Sequence, residues 1–102
     1  MGKYVLAYKG GSMAETTEAQ EAAMQAWMGW FGELGSAVID GGNPFGPSTA
    51  VKSDGSATAA TAGLTGYSVL EADSLELAAK LAKGCPVLAA GGSVEVYETI
   101  AM

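Results

Sequence analysis

The sequence predicts an α+β fold: a ferredoxin-like βαββαβ antiparallel sheet with two helices on one face and an extra hairpin. Three observations point there. Four segments carry strand-type alternation, and two longer ones carry apolar residues at helical spacing. Their order is β-α-β-(hairpin)-β-α-β, which divides into two split βαβ units with right-handed crossovers. Both helical stretches open on a capping residue and close on a glycine. The length of 102 residues suits a single domain spanning 1–102.

Tyr4 to Lys9 reads as the first strand, ended by Gly10-Gly11-Ser12. Two capping-box matches follow, Ser12-x-x-Glu15 and Thr17-x-x-Gln20. The first helix is expected from about Glu18 to about Leu34, with Gly35 at C′. Met24, Trp27, Met28, Phe31 and Leu34 form its apolar stripe, widened by Ala23 and Trp30. Ser36 to Asp40 is a short second strand, broken by the turn formers Gly41 to Pro47. Thr49 to Lys52 forms one arm of a hairpin, with Asp54-Gly55 at the tip and Ser56 to Thr61 as a weak return arm. Gly66 to Ala72 is the next strand. Asp73 or Ser74 then caps a helix that buries Leu77, Ala78, Leu81 and Ala82. Gly84 stops that helix, and Pro86 follows where it cannot continue. Ser93 to Ile100 is the last strand.

Alternation makes both faces of this sheet apolar. Tyr4, Leu6 and Tyr8 share one face of the first strand, with Val5 and Ala7 on the other. Tyr67 and Val69 oppose Leu70 and Ala72, and Val94, Val96 and Ile100 oppose Tyr97. Two helices cover only one face, so a second copy of the chain is the expected cover for the other. The expected partners are therefore the chain itself, as a homodimer, and a small-molecule ligand. Five Lys and Arg stand against eleven Asp and Glu, a net charge of −6, which disfavours nucleic acid and anionic membranes. No apolar run is long enough to span a bilayer. Met1 to Tyr4 leads straight into strand pattern, without a signal or transit segment, and the single Cys85 suits a cytoplasmic location.

The chain has no histidine, which removes the commonest general base, the Ser-His and Cys-His dyads and most zinc sites. Gly41-Gly42 and Gly91-Gly92 match neither a dinucleotide fingerprint nor a P-loop. No metal and no cofactor are expected.

Four segments taken together resemble the YCII-related family, and within it the DGPF-type branch: Ile39 to Ser48, Leu64 to Leu75, Lys83 to Pro86 and Gly91 to Glu98. The likeness runs over nearly the whole chain and includes Trp27 and Trp30 before the Gly35 turn. It implies a dimeric α/β barrel, in which two ferredoxin-like sheets face each other around a cleft. The wider superfamily includes small monooxygenases, muconolactone-isomerase-like enzymes and ligand sensors. Some YCII-related proteins pair a His on the first helix with an Asp on the second strand. Asp40 falls where that Asp would, but the His has no counterpart here, and Val87 follows Pro86 where relatives often carry another His.

Asp40 is thus the first candidate catalytic residue. It is a general base or hydrogen-bond anchor in the cleft, or else an Asx-type turn former holding Gly41-Gly42. Tyr8 or Tyr67 would supply the acid beside it in a cofactor-free isomerase or lyase. Trp27 fits the buried stripe, and Trp30 lies off its centre toward the sheet edge or dimer seam. With Asn43 and Phe45, each also readable as part of a rigid turn or plug, they are the candidate ligand-binding residues. Cys85 reads as a buried structural thiol, because no basic setting surrounds it except Lys83. A small-molecule-binding homodimer is the leading expectation, with the Asp40 enzyme and a purely structural oligomer as alternatives.

Overall fold

The computed structural model describes residues 2–11 and 15–101. Strand β1 (Gly2–Lys9) leads to helix α1 (Thr17–Leu34), a single 3-10 turn (Gly35–Ala37) and β2 (Val38–Asp40). A hairpin of β3 (Ala50–Val51) and β4 (Ala57–Thr58) precedes β5 (Leu64–Ala72). Helices α2 (Leu75–Ala82) and α3 (Pro86–Ala89) and strand β6 (Ser93–Glu98) complete the chain. The main sheet has the order β2-β5-β1-β6 with every neighbouring pair antiparallel. This is the ferredoxin-like arrangement expected, with β1 and β5 as the central strands and the β3-β4 hairpin inserted as a separate two-stranded sheet.

The register decides which residues share a face. Tyr4 pairs with Leu70 and Glu98, Leu6 with Ser68 and Val96, and Tyr8 with Gly66 and Val94. This face lies under the helices. Its core joins Leu6, Tyr8, Trp30, Leu70, Ala82, Cys85 and Val87, and a second cluster joins Tyr4, Ala72 and Ala78. On the opposite face Val5 lies between Val69 and Tyr97, and Ala7 between Tyr67 and Glu95. Those residues are half-buried or exposed, with Tyr97 at 55 %.

Helix α1 starts at Thr16, whose side chain accepts the Ala19 N–H at 3.1 Å. The cap is therefore Thr16, one residue before the expected Thr17, and Ser12 lies outside the described residues. Gly35 ends the helix as expected. Its φ of 57° suits a residue without Cβ, and its N–H closes on the Phe31 carbonyl. The chain then makes a 3-10 turn, so β2 begins at Val38 and not at Ser36.

The two tryptophans exchange their expected roles. Trp30, 4 % exposed, is the buried anchor of α1, and its indole N–H donates to the Leu81 carbonyl at 3.3 Å. Trp27 is only half-buried. Met24 and Met28 are each 66 % exposed, so only Trp27, Phe31 and Leu34 of the expected stripe are partly buried. The first turns of α1 stand clear of the sheet.

Ser74, not Asp73, caps α2 by accepting the Leu77 N–H at 3.1 Å. Ala78 and Ala82 are buried and Leu81 partly so, while Leu77 is exposed. Pro86 does more than follow a helix stop. It occupies the first turn of α3, where its missing N–H costs nothing. The last strand ends at Glu98, and Ile100 lies beyond it at 83 % exposure instead of packing beside Val96. At the hairpin tip Gly55 has a φ of 89°, and the Asp54 carboxylate accepts from the Ser56 N–H (2.8 Å) and hydroxyl (2.6 Å).

Candidate functional site

Past Asp40 the chain does not leave the sheet. It runs on beside β5 as a loop held by backbone bonds. Tyr67 N–H donates to the Asn43 carbonyl at 3.4 Å, Phe45 N–H donates to the Thr65 carbonyl at 2.9 Å, and Pro44 bridges to Gly66. Gly42 makes this approach possible. Its φ is 73°, and a Cβ built there would overlap the Tyr67 carbonyl oxygen. A buried polar contact ties the loop from below. The Ser68 hydroxyl donates to the Gly41 carbonyl at 2.6 Å and accepts from the Tyr8 hydroxyl at 2.7 Å. Ser68 is fully buried in the sheet and both of its bonding roles are filled, which offsets the cost of its position.

Between this loop, the start of β5 and the exposed flank of α1 lies a cleft of about 370 Å³. Trp27, Phe31 and Met24 form its helical wall, Gly41 to Pro44 its opposite lip, and Tyr8 and Gly66 its floor. The rings are mutually braced. Tyr8 meets Trp27 edge-on at 5.1 Å between centroids, and Trp27 leans on Phe31 at 5.8 Å. Phe31 in turn packs against Gly41, where an added Cβ would lie 3.7 Å from its ring. Among the described residues no Asp, Glu, Lys or Arg lines the cleft.

The site candidates separate on this geometry. Trp27, Asn43, Tyr8 and Tyr67 border the cleft, whereas Trp30, 4 % exposed, is not among its lining residues and belongs to the core under α1. Phe45 is 47 % exposed and stacks on Tyr67 at 5.7 Å with planes 17° apart. It therefore extends the apolar surface on the open face of the sheet. Tyr8 and Tyr67 come from opposite faces, because Tyr8 pairs with Gly66 and Tyr67 with Ala7. The Tyr8 phenol thus lies on the helix side and not in a space between two sheets. Asp40 is exposed at the sheet edge, and its carboxylate accepts the Gly42 N–H at 2.8 Å. That bond is the turn-forming contact of the two expected for it.

Burial pushes the Tyr8 phenol well above its ordinary value. The Ser68 hydrogen bond opposes that shift, and nearby Cys85 adds to it. Burial also raises the Cys85 thiol, against the lowering contacts of the Val87 backbone and Tyr8. Both groups hold their protons at neutral pH, and neither is a ready acid or nucleophile there. Among the described residues no group of three or more Cys, Asp or Glu could hold a metal ion. No helix in the described residues is long and apolar enough to cross a membrane.

Sequence reasoning overlooked the Tyr8–Ser68–Gly41 link. Its signal was a serine on the core side of an otherwise apolar strand, where a polar group needs a partner.

Asp40→Asn is expected to change stability by less than about 1 kcal/mol, because an amide oxygen accepts the same Gly42 N–H. Thermal unfolding of the two proteins checks this. A larger loss would mean that the charge itself holds the loop.

The family model of the YCII-related domain matches residues 1–102 of the chain. No curated protein and no solved structure matches it significantly.

Proposed function

This chain belongs to the YCII-related domain family, and from that premise we propose that it is a single-domain homodimer that binds a small molecule in the cleft between α1 and β5. The cleft carries the reading: a preformed space of about 370 Å³, walled by braced aromatic rings and a loop held in place by backbone bonds. Concave, mostly apolar pockets of that size are typical of small-ligand sites. The same chemistry disfavours catalysis. The buried phenol is a poor acid, and the Asp40 carboxylate is engaged by Gly42.

Shape supports the dimer. The chain measures 44 × 39 × 18 Å and consists of a main sheet under one helix layer plus the β3-β4 hairpin. Its radius of gyration of 14.9 Å exceeds the roughly 13 Å usual for a compact chain of this length. The uncovered sheet face carries Val5, Ala7, Tyr67, Val69 and Tyr97 in adjacent register, extended by Phe45. Lys3 sits opposite Glu71, and Lys9 and Glu95 share the face. This surface has both signs of charge around an apolar centre, which suits a self-complementary two-fold interface.

Sedimentation equilibrium at micromolar concentration is the test. The wild type is expected to be a dimer. Val5→Glu, which buries an unpaired carboxylate at the centre of the row, is expected to weaken association by about a hundredfold or more. A monomeric wild type would refute the dimer. A Val5→Glu protein that stays dimeric would move the interface off this face.

A further inference from the structure

The chemistry of the cleft limits what can enter it. Two aromatic side chains of α1, Trp27 and Phe31, line one wall, and Tyr8 closes the floor. Flat walls of this kind gain most from a flat guest. The polar residues at the lip are neutral: Asn43, and Thr65, whose hydroxyl already donates to the Gly10 carbonyl at 3.2 Å. Charge is the clearer constraint. An ion moved into this cleft would lose its hydration without meeting a counter-charge, because no charged side chain lines it among the described residues. Lys9 does not approach: its stem runs toward Gly63, where an added Cβ would lie 3.6 Å from Lys9 Cε. Asp40 stands one residue beyond the lip, and the chain carries a net charge of −6, so an anion is opposed twice.

We infer that the cleft takes an uncharged, planar compound of one or two fused rings, which it recognises by ring stacking and by neutral hydrogen bonds at the lip. This inference rests on the small-molecule reading of the same cleft and specifies its ligand class. A cation held by the ring faces is the competing occupant. Braced rings argue against it: the Tyr8 and Trp27 rings meet edge to face, so they are packed on each other and not arranged around an open cage.

Four probes of one ring skeleton separate the terms at neutral pH: naphthol (uncharged), naphthoate (anion), naphthyltrimethylammonium (cation) and decahydronaphthol (uncharged but not planar). Affinities are measured by calorimetry on the full chain, and the binding place by amide chemical shifts of Gly41, Gly42 and Gly66. Naphthol is expected to bind at least about tenfold tighter than each of the other three and to shift those three amides. Met24→Lys adds a cation at the exposed rim and is expected to narrow the naphthol-over-naphthoate preference by about fivefold. Equal binding of either ion would overturn the uncharged class, and equal binding of decahydronaphthol would overturn planarity. In both cases the small-molecule reading would stand. Binding that leaves the three amides unmoved, or a preference unchanged by Met24→Lys, would overturn the assignment to this cleft. Failure of all four probes to bind would overturn the ligand class and the small-molecule reading together.

Discussion

Gly42→Ala is expected to destabilise the protein by about 3 kcal/mol or more and to release the loop that forms the lip of the cleft. Two independent causes add. A residue with a Cβ at a φ of 73° is strained, and that Cβ would overlap the Tyr67 carbonyl oxygen, which cannot swing aside because it is backbone in a central strand. Relief requires the loop to lift from β5. The Asn43–Tyr67 and Phe45–Thr65 bonds would break, and the Ser68 hydroxyl would lose the Gly41 carbonyl. Gly46→Ala, four residues on, is the control. Nothing lies within 4 Å of its built Cβ and its φ is not positive, so its effect should stay within about 0.5 kcal/mol. Urea unfolding of both variants, with amide exchange at Tyr67, measures the contrast. Equal stability of the two would mean that the loop does not hold the close approach described.

The second large effect is expected at Trp30. Trp30→Ala should cost about 3–5 kcal/mol, the usual range for removing a buried large aromatic side chain. Trp30 is the only α1 residue in the fully buried core. Its ring packs on Phe31 at 5.2 Å, meets Trp27 at 5.8 Å, and fills the space beside Gly84, where a built Cβ would lie 3.1 Å from the indole. Against a total stability of about 5–15 kcal/mol, such a loss leaves α1 poorly attached and the cleft without its helical wall. Trp30→Phe keeps a ring but loses the bond to Leu81, so it should cost about 1–2 kcal/mol. Trp27→Ala, at a half-buried position on the cleft, should cost less than Trp30→Ala. Thermal unfolding that ranked Trp27 above Trp30 would contradict the packing described.

These two sites mark how far the residues alone could be read. Gly42 was legible as part of a turn-rich break after Asp40, but its close approach to Tyr67 joins segments some 25 positions apart, as the Gly66 and Tyr67 pairing of the loop records. Neither segment carries a mark of the other. For the tryptophans, helical spacing placed both on or near one stripe. A stripe on an 18-residue helix states a direction but not how far along the helix the contact extends. Only the C-terminal half of α1 packs, which leaves Met24 outside, and within that half Met28 is exposed while Trp30 takes the centre.

Preferences of neighbouring residues were enough to set the local pieces. Alternation placed the strands of the main sheet, the Asp54-Gly55 tip made the hairpin, Gly35 ended the first helix and Ser74, one of two caps considered, opened the second. These follow from preferences of a few consecutive residues, and the order of elements then leaves the βαββαβ topology as the simple solution. The remaining features arise from contacts between distant segments. Strand register set Tyr8 opposite Gly66 and Tyr67 opposite Ala7, which turned the two candidate tyrosines to opposite faces of the sheet although both residues border the cleft. Close loop approach bound Ser68 between Tyr8 and Gly41. A short-range preference is a property of the segment that carries it. A register, a helix contact and a buried hydrogen bond are each chosen by a partner distant in the chain, and they exist only once the whole core has closed.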